Sequence, residues 1–316
     1  MAVPTPARSR AAAVVSAARS EVLLRPAAIA RAWMGPGRPH ETIAVPGVSL
    51  APGEVLLRVE LATVAEEDVA AHDGGASPPM PTVLGSEFVG RVAAVGAPAP
   101  AVDGRALELG ERVVSGAGPR ERIAAHRELV GAFATHVHLG ADVPIVRVGE
   151  TLAACLLAPA AGAIARAVAV ARELDEAVEL AGSRVSVAGD GLAALALVAM
   201  AADRGAIVDA ASADARTRTL AVRFGASSVR SGEPSATVSA TAVAGGPRGV
   251  VTAHAATAPA VPTHDDLREA VAFVRNPATR RFPFADVVAP PLPLARLDEA
   301  IDLARRRPDL RVAVAP

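Results

Sequence analysis

Gly189-Asp190-Gly191-Leu192-Ala193-Ala194 is the segment whose residue types and spacing point most directly to chemistry. It follows the apolar run Arg184-Val-Ser-Val-Ala188 and opens a helical run through Ala202. Strand, glycine turn and helix, in that order, make a seat for a dinucleotide's phosphates. Gly189 and Gly191 allow a tight turn and close backbone approach, and the small third residue, Ala194, lets helix and strand pack. A strand at Ala206-Ile-Val-Asp209 and a helix from Asp214 to Phe224 complete a βαβ unit. Asp190 puts a carboxylate where a pyrophosphate would sit, and like charges repel. On this reading Asp190→Ala tightens binding. The residue facing the ribose belongs at the end of the second strand. Counting back from Gly225-Ala226 gives Ser212, whereas strand counting gives Asp209. With Ser212 there, Arg216 or Arg218 beside it accommodates a 2′-phosphate and favours NADP over NAD.

Other reactive side chains are sparse. The chain contains no Lys, Tyr or Gln, so all 32 Lys+Arg residues are Arg. That excludes Schiff-base and pyridoxal-phosphate chemistry, a phosphate-loop lysine and reductases that protonate through a Tyr–Lys pair. The one cysteine, Cys155, lies in the apolar stretch Thr151-Leu-Ala-Ala-Cys-Leu-Leu157 and reads as an inert thiol in a reducing compartment. His136 and His138 alternate on a strand and face one side, but two imidazoles without a third ligand do not make a metal site.

The elements that must position these groups fall into two rhythms. From Ala32 to about Val148 the chain reads as short strands with glycine-rich turns, such as Glu54-Val-Leu-Leu-Arg-Val-Glu60 and Phe88-Val-Gly-Arg-Val-Ala-Ala-Val95, which suggests a small barrel. Residues 1–31, rich in Ala and Arg, read as a flexible or partly helical extension. An Ala-rich helix is expected over Leu152–Leu174, ahead of the βαβ unit. Ser231–Pro262 resists assignment, apart from a strand at Gly245-Gly-Pro-Arg-Gly-Val-Val-Thr252. Helices at Asp265–Val274 and Leu294–Arg306 and a strand at Leu310–Val314 close the chain. Domain boundaries follow as 1–31, 32–155, 156–262 and 263–316. Hydrophobic residues make up 51% of the 316, and the net charge is -1. No apolar run is long enough to span a membrane, and no basic field favours nucleic acid. A cytoplasmic protein is expected.

Pro52-Gly-Glu-Val-Leu-Leu-Arg-Val-Glu60, Pro81-Thr-Val-Leu-Gly-Ser-Glu-Phe-Val-Gly-Arg-Val92, Gly110-Glu-Arg-Val-Val114, Gly131-Ala-Phe-Ala-Thr-His-Val-His-Leu139 and Arg280-Arg-Phe-Pro-Phe-Ala-Asp286 together resemble the medium-chain dehydrogenase/reductase superfamily, the zinc-type alcohol dehydrogenases. Within it they look closest to the phosphonate-catabolism-associated branch. The resemblance covers residues 32–316 with gaps. It implies an α/β fold: a GroES-like β-barrel catalytic domain, a Rossmann-type nucleotide-binding domain, and a final helix and strand returning to the first. The 80 residues from Ser183 to Pro262 make that second domain a shortened one, short of at least one helix and an edge strand.

The family's catalytic zinc ligands are a Cys, a His in Gly-His-Glu, and a later Cys or Asp. The matching positions here carry Ala65, Ser86 and Gly162, and the four-Cys structural zinc lobe has no counterpart. What remains around the implied site is acidic: Glu66, Glu67, Asp68 and Glu87. Asp68 and Glu87 match acids that position ligands, and Glu66 and Glu67 replace small residues, one of them a relay hydroxyl. Clustered acids raise one another's pKa and serve as acid and base. The expected catalytic residues are therefore Glu67, with Ser86 and Glu87 beside it and His72 available to a relay; the alternative is that Glu66 and Glu67 form a solvated loop. The resemblance implies a zinc-independent oxidoreductase using NADP or NAD on a small molecule, of the kind that reduces activated double bonds. A redox-silent isomerase, lyase or cyclase, or a non-catalytic scaffold without cofactor, stands as the alternative, and a homo-oligomer or paralogous partner is possible in either case. Metal analysis after extensive dialysis is expected to find no stoichiometric metal; about one zinc per chain, lost on replacing His136 or His138, contradicts this reading.

Overall fold

The computed structural model describes residues 19–76, 78, 80–97, 99, 101, 103–116, 129–233, 238–243, 252–255 and 262–316. Nine short elements come first: β1 (Ser20–Trp33), β2 (Glu41–Leu50), β3 (Val55–Thr63), α1 (Glu66–His72), β4 (Thr82–Val83), β5 (Glu87–Val95), β6 (Arg112–Gly116), β7 (His136–Leu139) and β8 (Ile145–Arg147). A helical passage follows through α2 (Ala154–Leu157) and α3 (Ala163–Ala177). Then come β9 (Arg184–Ala188), α4 (Gly191–Asp203), β10 (Ile207–Ser212), α5 (Ala215–Arg223), β11 (Ser228–Ser231), β12 (Ser239–Val243) and β13 (Thr252–Ala255). The chain ends with α6 (His264–Arg275), β14 (Val288–Pro293), α7 (Leu297–Arg306) and β15 (Arg311–Ala315).

The first half is barrel-like. One sheet runs β14-β15-β3-β5-β6-β8 with β7 also on β3, and a smaller sheet runs β2-β1-β4. β3 is central and almost wholly buried, as a strand with neighbours on both sides must be. The extension expected over residues 1–31 is cut short by β1, which pairs along its length with β2 and buries Ala28, Ala30, Ala32 and Trp33. Alanines carry the alternation there, and the register shift between Leu23 and Ala28 flanking Pro26 obscures it. Residues 1–18 lie outside the described residues.

The second sheet runs β11-β10-β9-β12-β13. β9, β10 and β11 are parallel, and α4 and α5 form their crossovers. β12 and β13 depart from a doubly wound sheet: β12 runs antiparallel to β9, and β13 antiparallel to β12. Only seven residues separate Ser231 from Ser239. A parallel return needs about a dozen or more, usually with a helix, so the chain re-enters in the opposite sense. Both ends of that link, Ser231 opposite Ser212 and Ser239 opposite Ala188, lie at the carboxyl edge of the parallel strands. The strand expected over Gly245–Thr252 is described only from Thr252, where β13 begins.

Two cores result. One joins α3, α4 and the parallel strands; the other fills the barrel. The expected boundary at residue 155 falls inside α2, and the helix expected over Leu152–Leu174 is interrupted at Gly162 (φ −134°, ψ −82°). The segment 263–316 is divided as well. Leu267, Ala270 and Val271 of α6 pack with α3 and α4, whereas Leu297, Ile301 and Val314 of α7 and β15 pack into the barrel. Among the described residues no single helix is long and apolar enough to cross a membrane.

Candidate active site

Four elements converge on a knot of charge. α1 brings Glu66 and Glu67 on its first turn. Its position is fixed by buried Asp68, whose carboxylate accepts from Ala65 N at 3.0 Å and from Gly85 N at 3.0 Å. β5 begins with Glu87, which is fully buried. The hydroxyl of Thr63 donates to Glu87 Oε2 at 2.8 Å, and the first amide of α3, Ala163 N, donates to Oε1 at 2.7 Å. α3 contributes Arg166, one turn beyond Gly162, and β15 contributes Arg311.

The two guanidiniums hold the three carboxylates together. Arg166 donates to Glu66 at 2.8 Å and to Glu67 at 3.3 Å, and lies 3.8 Å from Glu87. Arg311 approaches Glu66 at 3.0 Å and Glu87 at 3.2 Å, the latter without hydrogen-bond alignment, and donates to Val64 O at 3.2 Å. Ser86 donates to Glu67 at 2.8 Å. Glu67, Ser86 and Glu87 are thus brought together as expected from sequence, and Glu66 and Glu67 are bound rather than loose in solvent. Sequence reasoning missed both arginines. The available signals were Arg166 one helical turn after Gly162 and Arg311 at the start of an otherwise apolar closing strand.

Three acids against two bases leave one surplus negative charge. Burial pushes Glu87 up to about 7, reinforced by Glu66 and Glu67 and opposed by Arg311 and Arg166. Burial also works against ionised Glu66, but Arg311 and Arg166 outweigh it and hold that carboxyl below its ordinary range. Burial lowers Arg311 and Arg166, yet the carboxylates prevail and raise both. Among the three acids, Glu87 is the one whose carboxyl is held towards neutral pH.

Gly162 is part of the same packing. A Cβ there would lie 2.2 Å from Glu87 Oε1 and 2.6 Å from its Cγ. No side chain fits at 162 while Glu87 keeps this position. The imidazoles stand elsewhere: His72 stacks on His40 with ring centroids 6.1 Å apart, His138 meets Glu54 at 3.0 Å, and His136 meets Thr135 at 3.0 Å. Burial lowers His136.

The nucleotide-type turn lies across a cavity of about 410 Å³ from this knot, lined by Ala65, Glu66 and Arg311 on one side and Asp190, Gly191 and Pro308 on the other. Glu67 and Glu87 do not line it; Glu66 does. Gly189 (φ 148°) and Gly191 (φ 70°) make the turn, and Ala194 is buried within α4. A Cβ at Gly191 would come within 2.7 Å of Pro308 O. Ser212, not Asp209, ends the second strand; Asp209 is mid-strand and pairs with Arg184 at 2.8 Å. Two expectations are corrected here. Asp190 turns to the β10–α5 loop, where Oδ1 accepts from Ser212 Oγ, from Ala213 N at 3.0 Å and from Asp214 N at 3.4 Å. Arg216 is exposed and lies 4.0 Å from Asp309; it is Arg218 that reaches the Ser212 turn, donating to the Ser212 carbonyl at 2.7 Å and that of Ala213 at 2.8 Å. The Ser212 carbonyl also accepts from Gly232 N, so the guanidinium completes a turn that is already hydrogen-bonded.

Residues 51–171 match the family model for the alcohol dehydrogenase GroES-like domain. Solved structures match nearly the whole chain. An alcohol dehydrogenase from Thermotoga maritima has 18% identity and a TM-score of 0.74, covering 92% of this chain and 99% of that one. A protein described as a zinc-binding dehydrogenase from Sinorhizobium meliloti, bound to NADP, has 18% identity, a TM-score of 0.66 and coverage of 92% and 99%. Acetophenone reductase from Geotrichum candidum, in complex with NAD, has 17% identity, a TM-score of 0.63 and coverage of 92% and 97%. No curated protein sequence matches significantly. The fold is therefore α/β, a GroES-like domain joined to a Rossmann-like sheet, as in alcohol dehydrogenase structures.

The raised pKa of Glu87 sets a sign for stability. Below the carboxyl's unfolded value near 4.5 both states are protonated; as pH rises to about 7 the unfolded chain ionises first, and Glu87's contribution is lost. Thermal melts of wild type and Glu87→Gln between pH 4.5 and 8 should show the variant gaining on wild type as pH rises through that window. A difference independent of pH contradicts the protonated Glu87. Asp190→Ala leaves Ala213 N and Asp214 N without that acceptor and should destabilise by about 1 kcal/mol, measured by urea unfolding; an unchanged midpoint contradicts the anchoring role.

Proposed function

We propose that the chain is a zinc-independent, NAD(P)-linked oxidoreductase of the medium-chain dehydrogenase/reductase type, acting on a small molecule with an activated double bond. The observation that carries the reading is the cavity with a dinucleotide-type turn on one wall and the Glu66–Arg311 side of the charge knot on the other. The NADP and NAD bound to the two structural neighbours support the cofactor class.

The phosphates of a dinucleotide would be held by the backbone at Gly189 and by the amides and positive dipole at the N-terminus of the 13-residue α4, beside Gly191, against which Pro308 O and the Glu66 carboxylate already stand; Asp190 is engaged elsewhere. Ser212, held with Arg218 at the end of β10, faces the ribose end in this reading. The bound cofactor supplies hydride transfer. For the chain's part, Glu67 is the acid/base, because it is the least buried of the three acids and receives the Ser86 hydroxyl; it stands beside the cavity rather than on its wall, next to Glu66, which lines it. Glu87 touches no substrate; fully enclosed, it sets the charge around Glu67. Val64, Val69 and Leu310 give the cavity an apolar stretch of wall. Both guanidiniums are paired with carboxylates, which leaves them weak electrophiles and favours substrates polarised by their own conjugation.

A second reading, a redox-silent acid–base enzyme in the same cleft, is favoured by the antiparallel β12–β13 pair standing where a doubly wound sheet continues in parallel. Fluorescence titration with NADPH and NADH tests the first reading, followed by NADPH oxidation against a panel of enones and quinones. Glu67→Gln should lower turnover by about 10²–10⁴-fold with the fold intact. Absence of binding by either nucleotide excludes the oxidoreductase. Turnover of a substrate without NADPH consumption selects the second reading.

A further inference from the structure

Asp190 is the N-cap of α4, a position from which an Asp usually accepts from the first amides of its own helix. It makes no such bond. Its carboxylate crosses instead to the β10–α5 loop and takes Ser212 Oγ, Ala213 N at 3.0 Å and Asp214 N at 3.4 Å. These donors lie 22 to 24 residues further along the chain, at the carboxyl end of β10. In a dinucleotide-binding sheet that end reads the adenosine ribose. An acid there accepts from the 2′-hydroxyl of NAD, whereas an arginine nearby accommodates the 2′-phosphate of NADP. Ser212 alone leaves the strand end without an acid. The structure supplies one from the glycine turn after β9.

We infer that Asp190 is the residue that selects between the two nicotinamide dinucleotides, and that it selects NADH over NADPH. The inference rests on the dinucleotide reading above and names which nucleotide the seat takes. A phosphate monoester carries a charge of about −1.5 to −2 near neutral pH and needs donors for its oxygens. The hydroxyl and two amides of the loop are already given to a carboxylate. A second carboxylate, Asp214, stands in the same loop and accepts from Thr217 N at 2.6 Å. Arg218 donates to the carbonyls of Ser212 and Ala213, and Arg216 is exposed and 4.0 Å from Asp309. A 2′-phosphate must therefore displace Asp190 or sit beside it, and either costs affinity through like-charge repulsion or lost hydrogen bonds. A ribose hydroxyl brings no charge and can donate to a carboxylate.

Equilibrium titration of wild type and Asp190→Asn with NADH and with NADPH tests this. Asn keeps an oxygen for Ser212, Ala213 and Asp214 and removes only the charge. Wild type should bind NADH roughly tenfold more tightly than NADPH, and Asp190→Asn should remove most of that ratio, chiefly by tightening NADPH. A merely structural role for Asp190 changes both affinities alike and leaves the ratio where it was. A tenfold weaker NADPH still saturates at higher concentration, so hydride-transfer assays with it stand apart from this result. Should Asp190→Asn not fold, the wild-type ratio is measured in high salt, where a preference set by charge narrows and one set by shape does not. NADPH binding as tightly as NADH overturns the inference alone, as does a ratio unmoved by the substitution or, in its place, by salt. No binding of either nucleotide overturns it together with the oxidoreductase reading.

Discussion

Three acids and two guanidiniums gathered in the seam between α1, β5, α3 and β15 are the constraint around which the rest is arranged. Removing a carboxylate or guanidinium from water costs several kcal/mol per ion unless partners and hydrogen bonds surround it. Glu87 can be fully enclosed only because Thr63, Ala163 and Arg311 reach it from β3, α3 and β15. These elements are distant in sequence, so the charges align the barrel, the helix entering the second domain and the closing strand together. Ala and Val elsewhere in both cores supply burial but little orientation; the ion pairs are directional and set the register.

The same arrangement decides how much could be read from the sequence. The barrel strands, the βαβ unit and the last helix and strand were legible because their apolar periodicity is strong, and the Glu67–Ser86–Glu87 grouping followed from the resemblance. The two arginines were not legible. Arg166 lies in an Ala-rich helix where a long polar residue reads as surface, and Arg311 opens a strand that closes on β3 from the other end of the chain. Their importance appears only when contacts 79 to 245 residues apart are made. Asp190 misled for a related reason: a carboxylate in a glycine turn suggests repulsion, but the neighbouring loop offers it Ser212 and two amides. β1 was hidden by alanine and by Pro26, which weaken a strand's signature without preventing its pairing.

The second sheet carries a related economy. Its parallel half, β9 to β11, carries the glycine turn and the helix α4 that follows it. A short link then replaces a crossover, and the next two strands run as an antiparallel pair. Ligands of open α/β sheets lie outside the carboxyl ends of the strands, the same edge at which this link leaves β11 and enters β12. The same short link thus both ends the parallel run and stands at that edge.

Gly162 and Glu87 bind this chain's evolutionary options in the same way. A metal-binding side chain at 162 meets Glu87 at 2.2 Å before it can meet any ion. Substitutions at the two positions are therefore epistatic, and their order is fixed: 87 must shrink or turn aside before 162 can grow. That intermediate leaves Arg311 with one acid fewer and the amide of Ala163 without its acceptor. While Glu87 keeps this position, 162 stays a glycine, and a larger residue there waits on a change at 87.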